Sequence, residues 1–190
     1  MIENVLFVLL VNASWIRRYS YVAGTGFPLI FLVIWLCWNG GVFPSRTYVY
    51  DPVSVARVVG ECLLLAALAD TVQTTIHALL HGPLRATIVG RSHGVHHLHT
   101  NPRVGDAFHT GLLDATLFVA AALLAICAVG PDRTSVTLFG AAYSWHLHFI
   151  HSSPHVDYPL LDRLRIVTPK YHHAHHTNPK VHFSSLFACF

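Results

Sequence analysis

Charge is what this chain has least of. Only 11% of its 190 residues are Asp, Glu, Lys or Arg, against roughly 25% in an average soluble domain. Hydrophobic residues make up 53% and mean hydropathy is +0.49, which argues against a water-soluble domain. The net charge of +3 is small and scattered. No basic stripe interleaved with aromatics appears, so a nucleic-acid-binding footprint is excluded. Glutamate is reduced to two residues, Glu3 and Glu61. That rules out the carboxylate-bridged centre of soluble di-iron bundles, which takes Glu and Glu-x-x-His ligands. The four cysteines (Cys37, Cys62, Cys127, Cys189) form no Cys-x-x-Cys pair. Neither a disulfide framework nor a thiolate zinc site is indicated, and they read as core hydrophobes. The run from Met1 to Val11 has an acid, Glu3, where a signal peptide would be basic, and no small-residue cleavage site. It reads as a short anchoring or packing helix.

Histidine is the opposite case. There are 16, and none precedes His77. They group as His77-Ala-Leu-Leu-His81, His93-Gly-Val-His96-His97, His146-Leu-His148-Phe-Ile-His151 and His172-His173-Ala-His175-His176. Imidazole titrates near pH 6.5, so most of these rings are neutral at pH 7 and free to bind metal. His77 and His81 stand one helical turn apart on one face. The trio His93, His96, His97 has i, i+3, i+4 spacing, and His172, His175, His176 repeats it. Packing alone does not call for this density. Imidazole suits iron, zinc, copper and nickel. Nine or ten such nitrogens exceed the three or four that one zinc takes, so two ions are expected rather than one. With glutamate scarce, a histidine-rich pair of irons is the favoured form.

The apolar segments predict where this cluster sits. A bilayer needs about 20 mostly apolar residues per crossing helix. Candidates are 27–43, with Trp35 and Trp38 at one end as an interface belt; a long helix over 53–80, ended by His81-Gly82-Pro83; 112–129; and, after the turn Gly130-Pro131-Asp132, a more polar segment over 135–150 that packs inside the bundle. The expected architecture is all-α, an integral membrane bundle of about four transmembrane helices. Residues 1–52 would anchor it, and residues 53–190 would form the catalytic domain. If the long helix ends at one face and the next two segments form a hairpin back to it, all four histidine groups cap one side. Arg17, Arg18, Arg85, Arg91, Arg103, Arg163, Arg165, Lys170 and Lys180 fall on that side, whereas Arg46, Arg57 and Arg133 do not. The positive-inside rule makes it cytosolic.

The order His-x-x-x-His, His-x-x-His-His, a later His, then His-x-x-His-His resembles the fatty acid hydroxylase/sterol desaturase superfamily. The resemblance covers roughly Asp70 to Phe190 and includes Thr168-Pro169 before the last trio and His151-Ser152-Ser153 upstream of it. It implies a membrane-bound non-haem di-iron oxygenase that uses O2 and two external electrons to hydroxylate or desaturate a lipid, of sterol or fatty acyl type. The iron ligands it implies are His77, His81, His93, His96, His97, His151, His172, His175 and His176, with His148 as a tenth. His109 matches a histidine that often follows the first trio and is expected at the edge of the site. Asp70, two turns before His77 on the same face, is expected to orient a ligand, as carboxylates often do. Glu61 is assigned nothing. A cytochrome b-type or ferredoxin electron donor is implied, and the membrane would be the endoplasmic reticulum in a eukaryote or the inner membrane in a bacterium. The chain departs from the family at His182-Phe183-Ser184, where Asn-Tyr/Phe-Gly is usual. It also stops at Phe190, short of a Trp-Asp-Arg-Leu-Phe-Gly-Thr-like ending, so the C-terminus reads as clipped. Two other readings stay open: a metal transporter or metal-binding membrane protein, and an inactive truncated homologue.

Overall fold

A computed structural model describes residues 52–188, together with Leu36, Asn39 and Gly40. The expected anchoring segments over 1–52, including the first candidate span, lie almost wholly outside the described residues. Among the described residues the chain is all-helical. Helix α1 (Pro52–His81) leads to α2 (Ile88–Gly94), two short 3-10 turns (His96–Leu98 and Val104–Phe108), α3 (Leu112–Val129), α4 (Arg133–Ile150), α5 (Pro159–Arg163) and α6 (Pro169–Thr177). There are no strands among these residues, only an isolated antiparallel bridge between Ile166 and Phe187.

Local chemistry sets these boundaries. Pro169 occupies the first turn of α6, where its missing N–H costs nothing. Thr87 caps α2 by accepting from the Gly90 amide at 3.3 Å, and Asp132 caps α4 by accepting from the Thr134 amide at 2.6 Å. Helix α3 ends at Gly130, whose φ of 58° is a left-handed conformation that glycine adopts without penalty. At Gly111 a side chain would sit 2.7 Å from the Ser92 carbonyl, so only glycine lets the start of α3 lie against α2.

Helix α1 packs along both α3 and α4, and α4 in turn packs on α6. Leu65, Ala69, Ala125, Ile126, Val136, Phe139, Tyr143, Leu147, Ile150 and Val167 form the core between them. The alanines Ala69, Ala121 and Ala125 are nearly fully buried, the small contacts that let helices approach closely. Outward, Val55, Val59, Leu63, Leu124 and Leu138 are exposed.

By length and composition, one described helix can cross a membrane: Leu112–Val129, with a mean hydropathy of 2.4. A four-span bundle is not seen at this level. Helix α1 has the length, but Arg57, Glu61, Asp70 and the polar run Thr71, Gln73, Thr74, Thr75 dilute it. Helix α4 carries Arg133, Thr134, Ser135, Thr137, Ser144, His146 and His148.

Glu61 fixes the α3–α4 hairpin to α1. Its carboxylate accepts from the Asp132 amide at 2.9 Å, from the Ser135 hydroxyl at 2.7 Å and from the Arg57 guanidinium at 3.0 Å. Asp132 and Ser135 are almost completely buried, so losing this acceptor strands two donors away from water. Glu61→Gln keeps one oxygen for those two donors but loses the charge and turns an NH2 group towards Arg57, so it should destabilise the chain by about 0.5–1.5 kcal/mol. Thermal unfolding in detergent checks this, and an unchanged midpoint would contradict the role.

Candidate metal centre

The histidine cap is built from five elements of the chain. His77 and His81 come from the last turn and a half of α1, and His93 from α2. His96 and His97 lie in the 3-10 turn after it, His151 caps the C-terminus of α4, and His172, His175 and His176 line one side of α6. Their nitrogens converge in two groups, each suited to a metal ion. One is His77, His81, His93, His97 and His175; the other is His96, His151, His172 and His176. Ligand atoms within each group lie within 4.8 Å of one another. The groups adjoin, with the His97 and His176 rings 4.7 Å apart between centroids.

In both groups the inward atom is Nε2. Five rings turn Nδ1–H outward to a fixed acceptor. His77 donates to the Phe183 carbonyl at 2.7 Å, His93 to the Asp114 carboxylate at 3.0 Å and His96 to the His109 carbonyl at 3.1 Å. His151 donates to the Leu147 carbonyl and His175 to the Val181 carbonyl, both at 2.7 Å. A proton held on Nδ1 leaves Nε2 as a bare lone pair, and such outer partners also raise ligand basicity.

These lone pairs then face each other at hydrogen-bond range. His81 Nε2 lies 3.0 Å from those of His97 and His93, and His97 Nε2 lies 3.1 Å from that of His93 and 3.2 Å from that of His175. In the second group, His172 stands 3.0 Å from His151 and 3.1 Å from His176, and His151 stands 3.4 Å from His96. One proton can serve a single such edge, but three edges meet at His97 Nε2. His77 Nε2 is buried with no hydrogen-bond partner. A cation satisfies every lone pair at once, so the donor set fits a metal at each position.

One group offers five donors, more than a tetrahedral set takes.

Burial keeps the rings neutral. It pushes His96 and His175 down to about 4 and His151 to about 3, with neighbouring imidazoles adding to the effect. His97, His172 and His176 are lowered too, with burial foremost.

The expected site residues divide by placement. Nine histidines fall in the two groups. His148 is in neither: its Nδ1 donates to the Ser144 carbonyl at 2.8 Å and its ring packs on Phe108 at 4.9 Å. His109 contributes through its backbone carbonyl to His96, while its ring packs against His99. Asp70 was expected to hold a histidine. Its carboxylate instead binds residues 185–187 near the C-terminus.

Asp114 was missed. It faces His93 from the first turn of α3, and Thr110 donates to the same oxygen. The signal was available, since it is the one acid in an otherwise apolar run.

Comparison with known proteins agrees with this site. The fatty acid hydroxylase family profile matches residues 62–190, more than half of the chain and all nine clustered histidines. The chain belongs to the fatty acid hydroxylase family. A curated relative, an alternative squalene epoxidase from Phaeodactylum tricornutum, is 31% identical over 172 residues, covering 87% of this chain. The chain spans 47% of that relative's length. No solved structure matches.

The depressed imidazoles set a pH dependence for the metal-free chain. Their folded values lie below the ordinary 6.5, so the unfolded chain takes up more protons as pH falls. Stability present above about pH 6.5 is therefore lost as pH drops towards 4, by about 1.4 kcal/mol per pH unit for each proton taken up. Unfolding midpoints of the metal-free chain should fall steadily from pH 7 to pH 5; a flat profile would contradict neutral burial.

Proposed function

We propose that this member of the fatty acid hydroxylase family is a membrane-bound di-iron oxygenase that oxidises an apolar lipid with O2. The observation that carries the reading is the pair of adjacent Nε2-lined groups, five and four imidazoles, with no carboxylate in either. Iron at the two positions would supply O2 reduction and oxidation of an unactivated lipid carbon. His77, His81, His93, His97 and His175 would hold one ion, and His96, His151, His172 and His176 the other. Two electrons come from an external cytochrome b-type or ferredoxin donor, since the chain carries no haem, flavin or iron–sulfur motif of its own.

The chain's contribution is orientation and exclusion of water. Acceptors outside the groups (Asp114 and the carbonyls of His109, Leu147, Val181 and Phe183) keep the Nε2 of five rings turned inward. Pre-set rings of this kind need no reorganisation when charge develops at the centre. A cavity of about 410 Å³ opens beside the five-histidine group, lined by Thr71, Thr74, Thr75, Ala78, Leu79 and Phe183. The Phe183 ring also packs on His77, His81 and His175 at 5.7–5.8 Å. It stands between cavity and rings as a partition. We place the substrate's hydrocarbon in this cavity, with Phe183 setting which carbon approaches the histidines.

Membrane residence is supported by the apolar α3 and by the exposed Val55, Val59, Leu63, Leu124 and Leu138, which water would disfavour. An endoplasmic reticulum or bacterial inner membrane with the histidine cap on the cytosolic side suits the distribution of Lys and Arg. Hydroxylation and desaturation draw on the same oxidant. The relative's printed name, squalene epoxidase, favours alkene epoxidation as a second reading. Transport is disfavoured, because rings locked by outer hydrogen bonds hold an ion rather than pass it on.

Purified in detergent and loaded anaerobically with ferrous iron, the chain should hold about two irons. His175→Ala and His176→Ala should each reduce that number, one at each position. Incubation with 18O2, a reductant and a membrane lipid extract should yield a lipid carrying one 18O atom for hydroxylation or epoxidation, or a lipid two hydrogens lighter for desaturation. Absence of bound iron, or full binding by both variants, overturns the reading.

Phe183→Ala keeps the backbone carbonyl that His77 needs but opens the partition. Iron content should hold while the position of oxidation shifts. An unchanged product pattern would remove Phe183 from substrate placement.

A further inference from the structure

Segment 181–187 has little regular structure to hold it. It carries a non-glycine residue, His182, at φ 62°, and its sheet-like contact is the bridge from Phe187 to Ile166 with the Val167 amide bonded to the Leu186 carbonyl at 2.9 Å. Yet two of its carbonyls, Val181 and Phe183, fix His175 and His77, both in the five-histidine group. Their placement must be set by something firmer than the segment itself.

Ser185 is held from α4 by the Tyr143 hydroxyl at 2.8 Å and by His146 Nε2, which donates to its carbonyl at 3.0 Å, and the segment as a whole is held from α1 by Asp70. It is 2% exposed, and its carboxylate accepts from the Ser185 amide at 3.1 Å, the Ser185 hydroxyl at 3.3 Å, the Leu186 amide at 2.8 Å and the Phe187 amide at 3.1 Å. Three successive amides around one carboxylate form an anion nest. Asp70 and His77 share α1, about 10 Å apart along its axis. The helix that presents the imidazole therefore also anchors the strap that orients it. The four-histidine group takes its outer acceptors elsewhere, from the His109 and Leu147 carbonyls.

We propose that Asp70 is a positioning residue for one metal position only: by clamping segment 185–187 it sets the Phe183 and Val181 carbonyls, and through them the His77 and His175 rings of the five-histidine group. The proposal rests on the di-iron reading above. It touches no substrate and no metal, so its signature is asymmetry between the two sites.

The experiment titrates the full-length chain in detergent with 57Fe(II) under anaerobic conditions, reading equilibrium binding and Mössbauer spectra. Wild type should bind two irons. Asp70→Asn keeps the shape but sets an NH2 group against amide donors. It should weaken one site on the order of tenfold and shift one quadrupole doublet, leaving the other as in wild type. Glu61→Gln, which loosens the remote hairpin clamp, should leave both doublets in place. Equal weakening of both sites by Asp70→Asn, or wild-type binding at both, overturns the proposal. Should Asp70→Asn not fold, Ser185→Ala removes the hydroxyl's bonds to Asp70 and to Tyr143 and should weaken the same site a few-fold more than Tyr143→Phe does, with equal binding at both sites again overturning it. A wild-type chain that binds no iron overturns the di-iron reading and this proposal together.

Discussion

Nine lone pairs pointed at two small volumes are the constraint around which the rest of this structure is arranged. Neutral imidazoles with inward Nε2 atoms 3.0–3.2 Å apart repel one another, and burial removes the protons that would relieve the repulsion. Such a cluster needs rings held from behind. Asp114 and four backbone carbonyls do this for five of the rings, and those acceptors come from α3, α4, the loop after the 3-10 turns and segment 181–187. The fold can be read as the scaffold that brings those acceptors to one end of α1.

Along α1 the polar chemistry sits at Glu61 and from Asp70 onward, with an apolar stretch between the two. Glu61 locks the turn between α3 and α4; two turns before His77, Asp70 locks the strap. Between them the core is apolar, from Leu65 and Ala69 across to Phe139 and Tyr143. Each carboxylate is satisfied chiefly by amides and hydroxyls rather than by a buried cation, Arg57 on Glu61 being a partly exposed exception. That is the arrangement low-dielectric surroundings favour, since amide dipoles come with the backbone and need no second buried charge.

Much of this was legible in the sequence. The Gly82-Pro83 break, the apolar run 112–129 and the Gly130-Pro131 turn marked α1, α3 and the hairpin, because length, hydropathy and helix breakers act locally. The pair His77/His81 and the trio His172/His175/His176 each lie on one helix, as i, i+3 and i+4 spacing implies, whereas the first trio is split between α2 and the 3-10 turn and still converges on the site. Less legible was anything decided by contacts across the chain. His148 has the right spacing to His151, yet it turns towards Ser144 and Phe108. Asp70 lies on the face of His77, yet its partners are 115–117 residues away. Glu61 looked remote from the chemistry and proved to be structural. Asp114 could have been found by the reasoning applied to Asp70, that an acid in an apolar helix needs a partner.

The strap was the least legible element, for a physical reason. Residues 181–187 have no periodicity, and their contribution is made by carbonyl oxygens, which every residue possesses. Side-chain identity enters at one remove, through Asp70, the Ser185 hydroxyl and the Phe183 ring. The family's usual Asn-Tyr/Phe-Gly is replaced here by His182-Phe183-Ser184, and the aromatic is the position that is kept. In this structure its ring closes the cavity against the histidines while its carbonyl holds His77. A single residue therefore joins the proposed substrate space to ligand orientation. The aromatic side chain fills the first role, the backbone fills the second, and a substitution can separate them.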